Sequence, residues 1–229
     1  MARSVVLNQT PRCPRCQLPP RWCLCAKLVE VECPFRLDVL AHFMEDYRPS
    51  STGHLINRVI PAAGRHIFRR REDLARGDLA QAGKELWILH PNGELPPPNV
   101  RAGDVQVVLL DGTWTQAAGM ARAVGGWGRR VQLPMEGASR YWLRAQSGPD
   151  RFSTVEALLF LLAELGLERA HRQLRLQFEM HVFANLCARG QRSLAVEYLV
   201  DSPLTEAVPD LIERLTRSRR HDAHTDSRD

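Results

Sequence analysis

The stretch at residues 107–122, VVLLDGTWTQAAGMAR, joins the end of one secondary-structure element to the start of the next. It opens with an unbroken aliphatic run, which is typical of a strand buried on both faces of a parallel sheet. Asp111 and Gly112 end that run, and the residues that follow predict a helix over about 114–124. The stretch therefore indicates a strand followed at once by a helix, the repeating unit of α/β proteins.

Strands and helices also alternate along the rest of the chain. The strand-type segments are RLDVLAHF (36–43), ELWILH (85–90), which Pro91 ends, DVQVVLL (104–110) and RRVQL (129–133). The other helix-type segments are 49–64, with Ser50 or Ser51 as its cap, 153–166, where Ser153 and Glu156 have capping-box spacing, and a last helix over about 170–189, which Gly190 ends.

This alternation predicts an α/β fold around a mostly parallel sheet with helices on both faces. Ligands of such folds bind outside the carboxyl ends of the strands. The loops at 90–94, 111–114 and 133–152 are therefore the predicted place of a binding site. Composition and the alternation of elements divide the chain into a small loop-rich segment at 1–34, an α/β domain at 35–213 and a flexible basic tail at 214–229.

Four cysteines fall within CPRCQLPPRWCLC: Cys13, Cys16, Cys23 and Cys25. A C-x2-C turn presents two thiolates from one tight loop, and a second cysteine pair completes a tetrahedral set for zinc. Because no export signal precedes them, we expect a structural zinc rather than disulfides. The alternative is reduced thiols in a disordered arm. Cys33 and Cys187 are not expected to be ligands.

The net charge is +5, and most basic residues are arginines, which suit phosphate groups. An RNA partner is compatible with this balance, although the charge alone is weak evidence. No apolar run approaches a membrane span, and no secretory signal precedes the cysteines. We therefore expect a cytoplasmic protein without a membrane partner.

Asp111 and Trp114 have two interpretations each. A carboxylate before a helix caps the free backbone amides and favours the helix dipole, and a tryptophan there belongs to the core. Alternatively, both side chains face a ligand at the edge of the sheet. Local sequence leaves the two interpretations open.

The sequence resembles the DTW-domain proteins. DGTW (111–114) matches the family signature, and HFMEDYRPSSTGHLI (42–56), SRYWLR (139–144) and STVEAL (153–158) are similar to its other elements in the same order. The N-terminal cysteines match the family's zinc knuckle. Ser51 departs from the pattern, since asparagine is expected at that position. The resemblance covers most of residues 13–165.

The resemblance implies a tRNA-uridine aminocarboxypropyltransferase. Such an enzyme moves the 3-amino-3-carboxypropyl group of S-adenosylmethionine to N3 of a uridine in tRNA and releases 5′-methylthioadenosine. It further implies a SPOUT-like fold with a C-terminal trefoil knot, and we expect a monomer. The competing hypotheses are an S-adenosylmethionine-dependent RNA methyltransferase and a non-catalytic zinc-knuckle RNA-binding protein.

Within this resemblance, Asp111 is the candidate catalytic residue, as general base, as a partner of the uracil edge, or as a charge beside the sulfonium. Trp114 is expected to stack on adenine or uracil. The candidate donor-binding residues are Leu89, His90, Pro91, Leu110, Gly112, Thr113, Trp114, Leu133, Pro134, Arg144, Ser153 and Thr154. The candidate RNA-binding residues are Arg140, Tyr141, Trp142 and Arg151. Glu156 is expected to cap its own helix rather than contact substrate.

Overall fold

The computed structural model describes residues 10–70, 74–144 and 151–217. Contacts divide the chain into two compact units, Leu28–Phe178 and a second unit made of Met1–Lys27 with Glu179–Asp229. These bounds differ from the division predicted from composition. Residues after Lys27 already belong to the first unit, where the Val31 amide donates a 2.7 Å hydrogen bond to the Val59 carbonyl.

The first unit contains a five-stranded sheet. Its strands are β1 (Arg36–His42), β2 (Gly64–Phe68), β3 (Glu85–Glu94), β4 (Val105–Asp111) and β5 (Arg129–Val131). Their order is β2-β1-β4-β3-β5, and every neighbouring pair is parallel. Because all strands run the same way, their carboxyl ends meet at one edge of the sheet. Ala41 pairs with Asp111 at that edge.

Helices connect and follow the strands. They are α1 (Thr52–Val59), α2 (Arg76–Leu79), α3 (Trp114–Ala123), α4 (Thr154–Glu164), α5 (Glu168–Ala188), α6 (Arg192–Tyr198), α7 (Leu204–Ala207) and α8 (Pro209–Thr216). None of the helices in the described ranges has the length and apolar character needed to cross a bilayer.

The two faces of the sheet are covered by different helices. Val108 of β4 packs with Met120 of α3 and Leu79 of α2 in one apolar cluster. Asp111 lies three positions further along β4, so its side chain points to the opposite face. There it contacts the amino-terminal ends of α1 and α4. The prediction of a parallel sheet with helices on both faces is thus confirmed.

One strand was not predicted from the sequence, and the predicted end of another was wrong. The segment Gly64–Phe68 forms β2, although its polar residues hide the alternation expected of a strand. Strand β3 continues through Pro91 to Glu94, with a register irregularity against β5 after Leu89. A proline is tolerated at such an irregularity, because no regular ladder hydrogen bond is required of it there.

The second unit is helical beyond α5, which was predicted to be the last helix. Helix α8 reaches Thr216, inside the predicted tail, because Leu211 and Leu215 lie one turn apart and are both buried. The Arg214 guanidinium donates to the Cys23 carbonyl at 2.8 Å, and Lys27 pairs with Asp210 at 2.6 Å. These contacts join α8 to the cysteine-rich segment.

Candidate functional site

A cavity of about 620 Å³ opens at the carboxyl edge of the sheet, where small-molecule sites of α/β folds occur. Its wall combines the ends of β3 and β4, the segment after β5 and the first turns of α3 and α4. Its lining residues are Thr52, Leu89, His90, Pro91, Asn92, Leu109, Leu110, Asp111, Gly112, Thr113, Trp114, Thr115, Ala117, Ala118, Val131, Leu133, Met135, Tyr141, Arg144, Arg151, Phe152, Ser153, Thr154 and Ala157.

Asp111 lies in this wall and is 3% exposed. The Ser51 hydroxyl donates to its Oδ2 at 2.9 Å, and the Thr154 hydroxyl donates to its Oδ1 at 2.7 Å. Each carboxylate oxygen has a second lone pair, so the group is able to accept further hydrogen bonds. The carboxylate is thus held in one orientation while retaining the capacity to receive a proton.

Burial raises the pKa of the Asp111 carboxyl above its ordinary value. The hydrogen bonds from Thr154 and Ser51 and the charge of Arg144 oppose the rise, whereas the nearby Glu45 carboxylate adds to it. A carboxylate with a raised pKa is a stronger base than an ordinary aspartate, which brings it closer to the range that suits general base catalysis at neutral pH.

Asp111 is not the cap of α3, so the capping interpretation was wrong. Thr113 is the N-cap, and its side chain accepts from the Gln116 amide while the Gln116 side chain accepts from the Thr113 amide. This reciprocal pair leaves the Asp111 carboxylate to the hydroxyl groups of two other helices. Ser51 caps α1 through the His54 amide in addition to holding Asp111.

The close packing around Asp111 explains the glycine at position 53. A Cβ on Gly53 would collide with the Asp111 carboxylate, so a larger residue in the first turn of α1 would displace it. The sequence SSTG therefore supplies a hydroxyl donor and the room for its acceptor within one turn. Ser51 is 0% exposed and fulfils this role although asparagine was expected there.

Arg144 lies in the cavity wall, but its guanidinium already has an acidic partner. It donates to Glu45 Oε2 at 2.7 Å, and Arg48 donates to Glu45 Oε1 at 2.6 Å. Glu45 is 1% exposed. This buried carboxylate therefore fixes Arg144 at the cavity and limits how much positive charge remains for a ligand.

Glu156 holds the SRYWLR element (139–144), whose Tyr141 and Arg144 line the cavity. Its carboxylate accepts from the Ser139 hydroxyl at 2.9 Å, from the Arg140 amide at 2.7 Å and from the Ser153 amide at 2.7 Å. The last contact completes the capping box with Ser153 that the sequence predicted. Glu156 thus joins the start of α4 to the SRYWLR element.

The candidate RNA-binding residues occupy different environments. Tyr141 is 6% exposed, and its hydroxyl donates to the Ser50 carbonyl at 2.7 Å. The centre of the Tyr141 ring lies 6.4 Å from that of Phe178, in a stacked arrangement. Tyr141 is therefore a structural part of the cavity wall. The Arg140 guanidinium lies 5.5 Å from the Trp142 ring, and neither residue lines the cavity.

Trp114 and Arg151 form one side of the cavity mouth. The Arg151 guanidinium lies 5.1 Å from the centre of the Trp114 ring, a distance at which a cation is attracted to the ring face. Trp114 is 37% exposed, which excludes the interpretation that it is simply a core residue. The pair presents a flat aromatic surface and a positive charge at the cavity.

His90 and Asn92 belong to the extension of β3. The Asn92 amide donates to His90 Nδ1 at 3.0 Å. Burial and the nearby Arg130 charge lower the pKa of His90, against the effect of that hydrogen bond. The lowered pKa favours the neutral form of the His90 imidazole. Asn92 lies in the segment 90–94 that the sequence placed at the binding site, but it belongs to the extension of β3 rather than to a loop.

The four N-terminal cysteines converge as expected of metal ligands. Their Sγ atoms all lie within 4.8 Å of one another, with 3.5 Å between Cys13 and Cys25 and 3.7 Å between Cys16 and Cys23. Tetrahedral zinc with ~2.3 Å bonds separates its sulfurs by about 3.8 Å. The arrangement is therefore suited to hold a metal ion such as zinc.

The electrostatics of the cluster agree with this geometry. The Cys16 backbone amide is the main cause that lowers the pKa of Cys13 to about 6, while burial raises the pKa of Cys25. Neighbouring thiolates repel one another, and only a bound cation permits all of them to ionise.

The fold and the site agree with the class of α/β proteins that bind a ligand at the carboxyl edge of a parallel sheet. The family model described as "DTW domain" matches residues 10–188, which is most of the chain. The chain therefore belongs to the DTW domain family, which is associated with tRNA modification. None of the solved structures matches the chain.

The structure brings most of the predicted site residues together. Of the candidate donor-binding residues, Pro134 alone does not line the cavity and is exposed. Asn92, Met135 and Phe152 line the cavity from the predicted loops without having been named individually, and Thr52 reaches it from α1, where no ligand contact was expected. Glu45, considered from the sequence as a substrate contact, instead binds Arg144 and Arg48. In the sequence, the SSTG segment and the glutamate of HFMEDY were the features from which the contributions of Thr52 and Glu45 to the site could have been predicted.

Proposed function

We propose that this protein transfers the 3-amino-3-carboxypropyl group of S-adenosylmethionine to N3 of a uridine in tRNA, releasing 5′-methylthioadenosine. The observation that carries the proposal is the Asp111 carboxylate, held by Ser51 and Thr154 in the wall of a cavity of about 620 Å³. The membership of the DTW domain family supports it independently.

The residues of the cavity fit a nucleoside-containing donor. Leu89, Leu110 and Leu133 supply apolar surface for adenine and ribose, and the Trp114 ring supplies a face for stacking. The Ser153 hydroxyl and the backbone amide of Thr154, in the first turn of α4, suit a carboxylate, since the Ser153 amide already donates to Glu156 and the Thr154 hydroxyl to Asp111. When bound, the donor supplies the aminocarboxypropyl group to the attacking nitrogen.

Asp111 and Thr154 provide a route for the N3 proton of uridine. Thr154 is half-buried and lines the cavity, and its hydroxyl donates to Asp111 Oδ1. Its oxygen is thus able to accept from the imide N–H while its hydrogen passes to the carboxylate. The raised pKa of Asp111 favours this transfer. Ser51 keeps the other carboxylate oxygen in place.

The basic side chains near the mouth suit the phosphate groups of tRNA. Arg151 lies at the cavity, and Arg140 lies on the segment fixed by Glu156. In the second unit, zinc held by Cys13, Cys16, Cys23 and Cys25 serves structure rather than catalysis, since four cysteine ligands leave no open coordination position.

The deciding experiment incubates the protein with unfractionated tRNA and S-adenosylmethionine labelled at the methionine carboxyl carbon. We expect label in the RNA and 5′-methylthioadenosine among the products. A parallel incubation with methyl-labelled donor distinguishes methyl transfer, which would leave label in RNA and release S-adenosylhomocysteine. Absence of label from RNA in both incubations, with tRNA still bound, would favour a non-catalytic RNA-binding protein.

A further inference from the structure

The loop after β1 carries aromatic side chains that the cavity does not use. Tyr47 is 78% exposed and Met44 is 43% exposed, although both are large. The His42 and Phe43 rings lie 4.7 Å apart, and the Arg69 guanidinium lies 5.7 Å from the Phe43 ring. Aromatic rings interleaved with arginines are typical of surfaces that bind unpaired nucleotides.

The electrostatics of this loop favour an anionic partner. Its two acidic residues already have partners, since Glu45 pairs with Arg48 and Arg144, and Asp46 pairs with Arg65. Arg69 and Arg70 are exposed at the end of the neighbouring strand β2. Among the residues that the structure describes, the acidic groups of the loop pair with Arg48, Arg65 and Arg144 and not with Arg69 or Arg70.

Hydrogen bonds join this loop to the cavity wall. Glu45 binds Arg144, the Ser50 carbonyl binds the Tyr141 hydroxyl, and Ser51 binds Asp111. All of these partners of the loop line the cavity. A strand of RNA that enters the cavity with one base thus finds an aromatic and basic surface at the same edge of the sheet.

We propose that His42, Phe43, Tyr47, Arg48 and Arg69 form an aromatic–arginine patch that stacks and binds unpaired nucleotides next to the target uridine. This inference rests on the proposed function for the identity of the RNA. Tyr47 and Phe43 receive base faces and Arg69 receives phosphate, while Arg48 at the border of the patch stays paired with Glu45. The patch selects a single-stranded segment, because bases in a duplex have no free faces for stacking.

The test measures equilibrium binding of three RNA probes to the full chain. The probes are an unmodified tRNA transcript, a single-stranded oligonucleotide of about 12 nucleotides and a blunt duplex of the same length. We expect Tyr47→Ala to weaken binding of the first two by about 5- to 100-fold, since each stacked base contributes roughly that factor. Tyr47→Phe should retain binding, whereas Tyr47→Leu should lose it.

The contribution of the arginines in the patch is measured by the salt dependence of RNA binding. Arg69→Ala should lower the slope of log affinity against log salt by about 0.7 for the single strand. Arg101→Ala is the matched control, because Arg101 is an exposed arginine at the amino end of β4 and should change nothing. Binding of S-adenosylmethionine should be equal in all of these variants.

The outcomes separate this inference from the proposed reaction. If Tyr47→Ala binds all three probes as the unaltered protein does, the patch is not a nucleotide-binding surface. Equal losses for duplex and single strand would likewise overturn the selection of unpaired nucleotides. If the Tyr47 and Arg69 effects appear but no label reaches RNA in the transfer assay, the patch stands and the proposed reaction fails.

Discussion

The Thr154 hydroxyl donates a 2.7 Å hydrogen bond to Oδ1 of Asp111, which joins the first turn of α4 to the last residue of β4. Ser51 makes the equivalent contact to Oδ2 from the N-cap of α1. One carboxylate thus connects a strand end with two helix starts. These hydroxyl contacts fix the carboxylate at the cavity, and none of the residues that the structure describes forms an ion pair with it.

Asp111→Asn tests the catalytic role of the carboxylate. We expect activity in the transfer assay to fall by about 100- to 10,000-fold, because an amide cannot accept the N3 proton. Binding of S-adenosylmethionine and the circular dichroism spectrum should remain unchanged. Raising the pH should partly restore the activity, since solvent then supplies the uridine anion. Unchanged activity would show that the DGTW segment acts only through its backbone.

Asp111→Asn, which should lower the activity, should raise the stability of the fold. Because the folded-state pKa of Asp111 is raised, the folded chain holds the proton more tightly than the unfolded chain, whose aspartates have pKa values of about 3.9. This contribution to stability is present below the unfolded pKa and is lost as pH rises through the folded pKa. Asp111→Asn should therefore gain relative stability across that interval, by about 1.4 kcal/mol per pKa unit. Urea unfolding at several pH values measures it, and parallel curves for the two proteins would contradict it.

The Thr154 hydroxyl is tested by a matched pair of variants. Thr154→Val keeps the shape of the side chain but removes the donor to Asp111, whereas Thr154→Ser keeps the hydroxyl. We expect the valine variant to lose kcat by about 100-fold or more while the serine variant stays close to the unaltered protein. Steady-state kinetics with saturating tRNA distinguish them. Equal activity of the two variants would exclude a proton route through Thr154.

The cysteine cluster predicts one zinc ion per chain. Metal analysis of the purified protein should find zinc, and a Cys13→Ser, Cys23→Ser double variant should lose it. Because Arg214 donates to the Cys23 carbonyl, loss of zinc should speed amide hydrogen exchange in α8. Cys33→Ser is the control, since Cys33 is not part of the cluster. Full zinc retention in the double variant would assign the metal to other residues.

Arg140 and Arg151 are expected to bind phosphates of tRNA without base preference. Replacing either with alanine should weaken tRNA binding and lower the salt slope by about 0.7 to 0.9 per contact. Titrations at several salt concentrations provide the measurement. An unchanged slope would mean that neither guanidinium contacts a phosphate and that both stay beside their tryptophan rings.

The amino-acid sequence alone determined the features that depend on neighbours in the chain. The aliphatic run before Asp111 predicted β4, the Ser153 and Glu156 spacing predicted the cap of α4, and the cysteine spacing predicted the metal cluster. Strand β2 and the continuation of β3 escaped prediction. Hydrogen bonding to a neighbouring strand determines the structure of both segments, although the local sequence of β2 is a weak strand pattern and Pro91 in β3 is unfavourable to a strand.

Only the tertiary structure decided what Asp111 does. Ser51 lies 60 residues and Thr154 lies 43 residues from Asp111 along the chain, so no local pattern relates the three side chains. Parallel strands place their carboxyl ends at one edge, and the helices of that face begin beside it. The convergence of two hydroxyl groups on one carboxylate follows from that packing, as does the rise of its pKa through burial.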